Sequence, residues 1–216
     1  MKKLFVAIRK GELETVRELL EKKPELVSCT AKQPPKQDDG QSPLQVAIKS
    51  GQFEIANMLL DGGADVNFME SPDCCNPWRM PTLHGAIRAA VMSCRWNTND
   101  KALGLQARHT REEAGRAFAL LERMLTLGGD IHGRDSYENS CLCRAVLDAQ
   151  QILPSYRWQT GETLDDRLLT PELEAGLSRI FTLLFAQGAD LDYVRPGFDQ
   201  TIRERCAVGP IAQFIK

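Results

Sequence analysis

Apolar positions along the chain recur in short bursts spaced three and four residues apart, and the bursts come in pairs. In "DGQSPLQVAIKSGQFEIANMLLDGGADVN", Asp39 to Asn67, one stripe is Leu44, Ala47 and Ile48 and the next is Phe53, Ile55, Ala56, Leu59 and Leu60. That spacing predicts two short amphipathic helices. Ser42 is placed to cap the first, because its hydroxyl accepts from a free N–H of the opening turn. Pro43 suits the first helical position, where no N–H is needed. Gly51 is placed to end the first helix, and Gly63 to take the left-handed position after the second. Two helices this short are marginal alone in water. Their apolar faces require neighbours.

The neighbours are copies of the same pattern. In "LFVAIRKGELETVRELLEKKPELV", Leu4, Ala7, Ile8, Gly11, Leu19 and Leu20 superpose on Leu44, Ala47, Ile48, Gly51, Leu59 and Leu60 without a gap. Downstream, "PTLHGAI" repeats the start at Leu83 and Ala86, and "MLTLGGDIHG" repeats the ending with Gly128 on Gly63. "SCLCRAV" starts again at Leu142, and "LLFAQGADLD" ends with Gly188. A repeated unit that buries its faces against its neighbours is the signature of a stacked array.

The residues "DGQSPLQVAIKSGQFEIANMLLDGGADVN" resemble the ankyrin repeat over their whole length, with Ser42-Pro43-Leu44-Gln45 in the Thr-Pro-Leu-His place and Leu83-His84 keeping the Leu-His pair. The resemblance implies an all-α ankyrin-repeat solenoid of four repeats plus a C-terminal half-repeat cap, with helical insertions in repeats 3 and 4. The units are 1–38, 39–77, 78–137, 138–197 and 198–216. The span from Leu44 to Gly63 is less than half that from Leu83 to Gly128 or from Leu142 to Gly188, which places both insertions between the two helices of a repeat. The last unit starts at Ile202, or in a register shifted by one residue if Thr201 takes the family's Thr place.

The insertions mirror each other. Thr110-Arg111-Glu112-Glu113 is a capping-box pattern, and Thr170-Pro171-Glu172 has the cap, proline and early acid of another helix start. Both second helices are then about 17 residues, roughly 25 Å long at 1.5 Å per residue. Ahead of them lie polar loops, around Asn97 to Arg108 and Pro154 to Arg167, read as an extra lobe on one flank. Cations exceed acids by 3 between Arg88 and Arg116, and acids exceed cations by 3 between Ile152 and Ala175. The two segments are expected to pack together, with Leu164, Leu168 and Leu169 helping to hold them.

Composition narrows the chemistry. The formal net charge of −2 gives no general attraction to nucleic acid or anionic membranes. No apolar run reaches the roughly 18 residues of a membrane span, and the opening "MKKLFVAIRKGE" lacks the apolar core of a secretory signal. Seven irregularly spaced cysteines fit reduced thiols in a cytoplasmic compartment. Cys74, Cys75, His84, Cys94, His132, Cys141 and Cys143 do not form the paired spacings of a zinc site, so no metal or other cofactor is expected. No Gly-x-Ser-x-Gly, phosphate-loop or dinucleotide fingerprint is present, and an enzyme is not predicted. The resemblance gives His84 a structural role, a hydrogen bond to a neighbouring repeat turn.

What the resemblance implies is a non-catalytic protein–protein interaction module. It would grip an unidentified partner protein through its hairpin tips and the exposed face of its first helices. Transferred position by position, the partner-facing residues are Asp39, Gln41, Lys49 and Ser50, then Trp78, Met80, Arg88 and Ala89 with Arg79 at the same tip, then Tyr137, Asn139, Leu147 and Asp148. Trp78, Arg79, Arg88 and Tyr137 are the predicted centre, since aromatics and arginine are enriched at interface hot spots. The other reading of Trp78 is local packing over the loop "FMESPDCCNPWRM". A monomer is the expected state, with a homodimer as alternative. Two other functions stay open: a regulatory or recruiting subunit of an enzyme, and a small-ligand or metal binder in the cleft beside the lobe.

Overall fold

The computed structural model describes residues 1–96, 99–100, 105–106 and 109–215. Its helices come in antiparallel-style pairs along the chain: α1 (Lys2–Lys10) with α2 (Leu13–Lys22), α3 (Pro43–Lys49) with α4 (Phe53–Asp61), α5 (Thr82–Ser93) with α6 (Arg111–Thr126), and α7 (Cys141–Ile152) with α8 (Pro171–Ala186). A single turn, α9 (Ile202–Arg205), follows. The first helices α1, α3, α5 and α7 pack side by side in sequence order, and α2, α4 and α6 form a second layer on them. Leu4, Ile8, Leu44, Leu59, Leu83, Ile87 and Leu121 lie between the layers with no exposure at all. Among the described residues no helix is long and apolar enough to cross a membrane.

Polar caps set where the helices begin. Ser42 and Gln45 form a reciprocal capping box at α3: Gln45 N donates to Ser42 Oγ at 3.2 Å, and Ser42 N donates to Gln45 Oε1 at 3.0 Å. The same box opens α6 with Thr110 and Glu113, and α9 with Thr201 and Glu204. Ser140 caps α7, and Thr170 caps α8 with Pro171 behind it. Each such cap satisfies an otherwise orphaned N–H and contributes about 1 kcal/mol. Thr201 occupies at α9 the cap place that Ser42 has at α3 and Ser140 at α7. The chain leaves α4 through Gly63 at φ 84°, where a Cβ would meet nothing within 4 Å. Glycine is needed there for the left-handed backbone and not for space.

The second helices of the later pairs are long, as expected: α6 and α8 have 16 residues each, against 9 in α4. Their stripes are buried at Ala117, Leu120, Leu121, Met124 and Leu125 and at Leu177, Ile180, Phe181 and Leu184. The polar stretches ahead of them contain two-residue antiparallel pairs, β1 (Asn99–Asp100) with β2 (Leu105–Gln106) and β3 (Tyr156–Arg157) with β4 (Glu162–Thr163). Most of the first stretch lies outside the described residues, and with it the expected charge pairing between the insertions. Leu168 and Leu169 do not serve as packing residues: they are 38% and 36% exposed. The second insertion is closed by polar bonds instead. Asp166 accepts from Ser155 N at 2.9 Å and Ser155 Oγ at 2.6 Å, and Arg167 Nη1 donates to the Leu153 carbonyl at 3.1 Å. A hairpin this small has no core to bury leucines in.

Candidate interaction site

The connections that lead into α3, α5 and α7 are stitched to one another. The Asp39 carboxylate accepts from Cys75 N at 2.9 Å and from Gln33 N at 3.3 Å, and its carbonyl takes Asn76 Nδ2 at 3.1 Å. The Cys75 N–H holds the Asp39 carboxyl below its ordinary range. At the next tip Arg79 N donates to Ser136 Oγ at 3.0 Å, and Ser136 N donates to the Arg79 carbonyl at 2.9 Å.

Four buried carboxylates, Asp38, Glu70, Asp135 and Asp148, stand behind these tips. Asp38, 1% exposed, accepts from Arg9 Nη1 at 2.6 Å and Lys49 Nζ at 2.8 Å. Lys49 also reaches the Gln37 carbonyl and Gln41 Oε1, while Gln41 Nε2 donates to Glu70 Oε1 at 3.2 Å. Asp135 accepts from Trp78 Nε1 at 2.9 Å and from Asn139 Nδ2 at 2.8 Å. Burial alone would raise the Asp135 carboxyl, but the hydrogen bonds from Asn139, Trp78 and Tyr137 outweigh it and hold it low. Asp148 has no exposure and takes a bidentate pair from Arg144, both at 2.8 Å, plus Arg88 Nη1 at 2.9 Å. The Arg144 guanidinium lies 5.4 Å from the Trp78 ring centroid. Trp78 is therefore pinned at its N–H by Asp135 and on its face by Arg144.

These anchors border a groove of about 610 Å³ between α3 and α5. Ile48, Phe53, Met80, Ala89 and Met92 supply its apolar surface, and Lys49, Glu70 and Arg88 supply charge. Seven of the predicted partner-facing residues meet here: Gln41, Lys49, Ser50, Trp78, Met80, Arg88 and Ala89. Asp39, Arg79, Tyr137 and Asn139 do not line it. Tyr137 is 56% exposed at its tip, whereas Asn139 is 6% exposed and takes Arg195 Nη1 on its Oδ1 at 2.7 Å. Asp148 is not a surface residue, because the packing of α7 on α5 turns it inward onto two arginines. Glu70, Met92 and His109 also line the groove and were not anticipated. Met92 had a signal: it lies four residues after Arg88 and so on the same helical face.

The remaining polar candidates are structural. His84 Nε2 meets the Gly133 carbonyl at 3.1 Å, so that nitrogen carries the proton. Gln45, in the same place one unit earlier, donates through Nε2 to the Met80 carbonyl at 2.9 Å. Burial pushes the His84 pKa down to about 4, and the ring is neutral. Burial pushes the thiol of Cys94 up to about 12 and that of Cys206 up to about 11, which makes both poor nucleophiles.

Residues 2–70 match the family described as ankyrin repeats (3 copies). No curated protein matches the chain. The matched stretch spans α1 to α4 with the capping box and the left-handed Gly63, and Gln45 and His84, in equivalent helix positions, each bond a backbone carbonyl ahead of the next first helix. That match supports the resemblance to ankyrin repeats over the first two helix pairs.

Proposed function

We propose that this protein is a non-catalytic binding module that holds a segment of a partner protein in the groove between α3 and α5. In this reading the four helix pairs are four ankyrin repeats, α9 is a half-repeat cap, and the residues before α6 and α8 are insertions within the third and fourth. Ankyrin repeats are generally protein–protein interaction modules and typically non-catalytic. The observation that carries the proposal is the groove itself. About 610 Å³ of largely apolar surface is bordered by Lys49, Glu70 and Arg88, whose side chains are already held in place by Asp38, Gln41 and Asp148. Side chains fixed before binding lose little freedom on association, which favours affinity. Gln41 and Asn139 act from behind, as supports of the tips, and Tyr137 and Arg79 offer a flanking contact.

Peptide display on the intact protein tests this. Ala89→Arg fills the groove from a partly buried position on α5. Peptides enriched on the parent protein should bind that variant at least about tenfold more weakly. Enriched peptides that bind both proteins equally would move the partner face elsewhere.

A further inference from the structure

Further along the same face, between α7 and α9, lies a second cavity of about 360 Å³. Its lining includes two arginines, Arg195 and Arg205, and no carboxylate. Both guanidiniums stack on the Phe198 ring, at 4.1 and 4.2 Å from its centroid, so two like charges share one small site. Arg195 spends Nη1 on Asn139, and its Nε is buried with no hydrogen-bond partner. The Arg205 guanidinium makes no hydrogen bond or ion pair among the described residues, whereas nearby Arg203 pairs with Asp192 at 3.0 Å. The cavity also has amide groups from Gln150 and Gln200 and the indole of Trp158, 58% exposed on the β3–β4 hairpin.

The preceding junction shows what such an arrangement accepts. Between α5 and α7 two arginines, Arg88 and Arg144, also converge, and there the buried carboxylate of Asp148 satisfies both. α9 ends at Arg205 after one turn, and among the described residues no acid takes the corresponding place between α7 and α9. A guanidinium matches a carboxylate through two parallel N–H···O bonds, and such charge-assisted pairs are stronger than neutral ones.

We propose that this cavity receives an aspartate or glutamate side chain of the partner polypeptide, with an adjacent apolar residue of that segment covering Trp158. The inference rests on the reading of the protein as a protein-binding module and places a second contact, of acidic specificity, beyond the α3–α5 groove. Asn139 and Leu147, both expected at the partner face, belong to this cavity.

The test is an NMR titration of the full chain, following the Trp158 indole and the Arg195 and Arg205 Nε–H signals. The probes are N-acetyl-glutamate N-methylamide, its glutamine counterpart and inorganic phosphate. The carboxylate probe should give saturable shifts at these three residues, the glutamine probe none, and Arg205→Gln should weaken the carboxylate response about tenfold or more. Trp158→Ala, on the exposed hairpin, is the second variant and should weaken binding of acidic peptides without lowering Tm. Equal responses to the glutamate and glutamine probes, or an undiminished response in Arg205→Gln, would overturn the proposal. Phosphate binding more tightly than carboxylate would overturn the assignment to an acidic side chain. Selected peptides that lose affinity with Ala89→Arg but not with Arg205→Gln would overturn this inference and leave the α3–α5 groove standing.

Discussion

Asp148 sits in a site with no exposure, where burial pushes its carboxyl up against the pull of Arg144 and Arg88, and it takes three guanidinium hydrogen bonds there. Desolvation consumes much of what such a pair gains, so its weight lies in geometry. It fixes Arg88 at the groove and Arg144 over Trp78. His84 is the opposite case, a titratable ring kept neutral by burial, with its pKa pushed down to about 4. In the unfolded chain a histidine titrates near about 6.5. As pH falls below that value the unfolded state takes up a proton that the native state refuses, so stability declines with falling pH. The loss runs down to about 4, where the native ring protonates as well, and reaches about 3 kcal/mol. His84→Gln keeps a donor for the Gly133 carbonyl, as Gln45 does for Met80, and should flatten the decline. Urea unfolding near neutral pH and at about pH 4.5 checks this. Parallel losses in the parent and the variant would show that His84 titrates normally.

At the level of elements, caps and stripes share the work. α3 has only 7 residues, too few to be stable alone, yet all but Lys49 are buried. Its capping box and its packing between α1 and α5 therefore act together. Ser42→Ala removes the acceptor for Gln45 N and should cost about 1 kcal/mol, read as a lower urea midpoint with an unchanged slope. No change would mean that packing alone sets this helix start. The long helices α6 and α8 were legible because Thr110 and Thr170 stand before stripes of helical period. The β1–β2 and β3–β4 pairs were not, because two-residue strands leave no alternation to detect.

Among the described residues each helix pair packs chiefly against its neighbours, so damage should spread along the stack from where it is made. Leu59 is fully buried in α4, between α2 and α6. Leu59→Asp places an unpaired charge there and should cost about 3 kcal/mol or more. Amide exchange should rise first in α2, α4 and α6, with α8 affected least. An unchanged melting temperature would contradict the register in which Leu19 and Leu59 are equivalent.

The sequence by itself determined the helix pairs, their caps, the glycine endings, the lengths of α6 and α8 and the place of His84. These follow from local period and backbone chemistry, which a single stretch of chain contains. It also drew Lys49, Trp78 and Arg88 toward one face, since equivalent positions of stacked units line up. Only the tertiary structure decided what each of those side chains does. Trp78 reads from sequence as a free anchor or as local packing. In the fold it borders the groove while Asp135 and Arg144, both more than 50 residues away, hold it in place. Asp148 reads as a surface acid and is buried, and Arg205 stacks on Phe198 without a counter-charge among the described residues. Burial and pairing of this kind depend on residues far apart in the chain. No local pattern encodes which arginine will meet an acid and which will not.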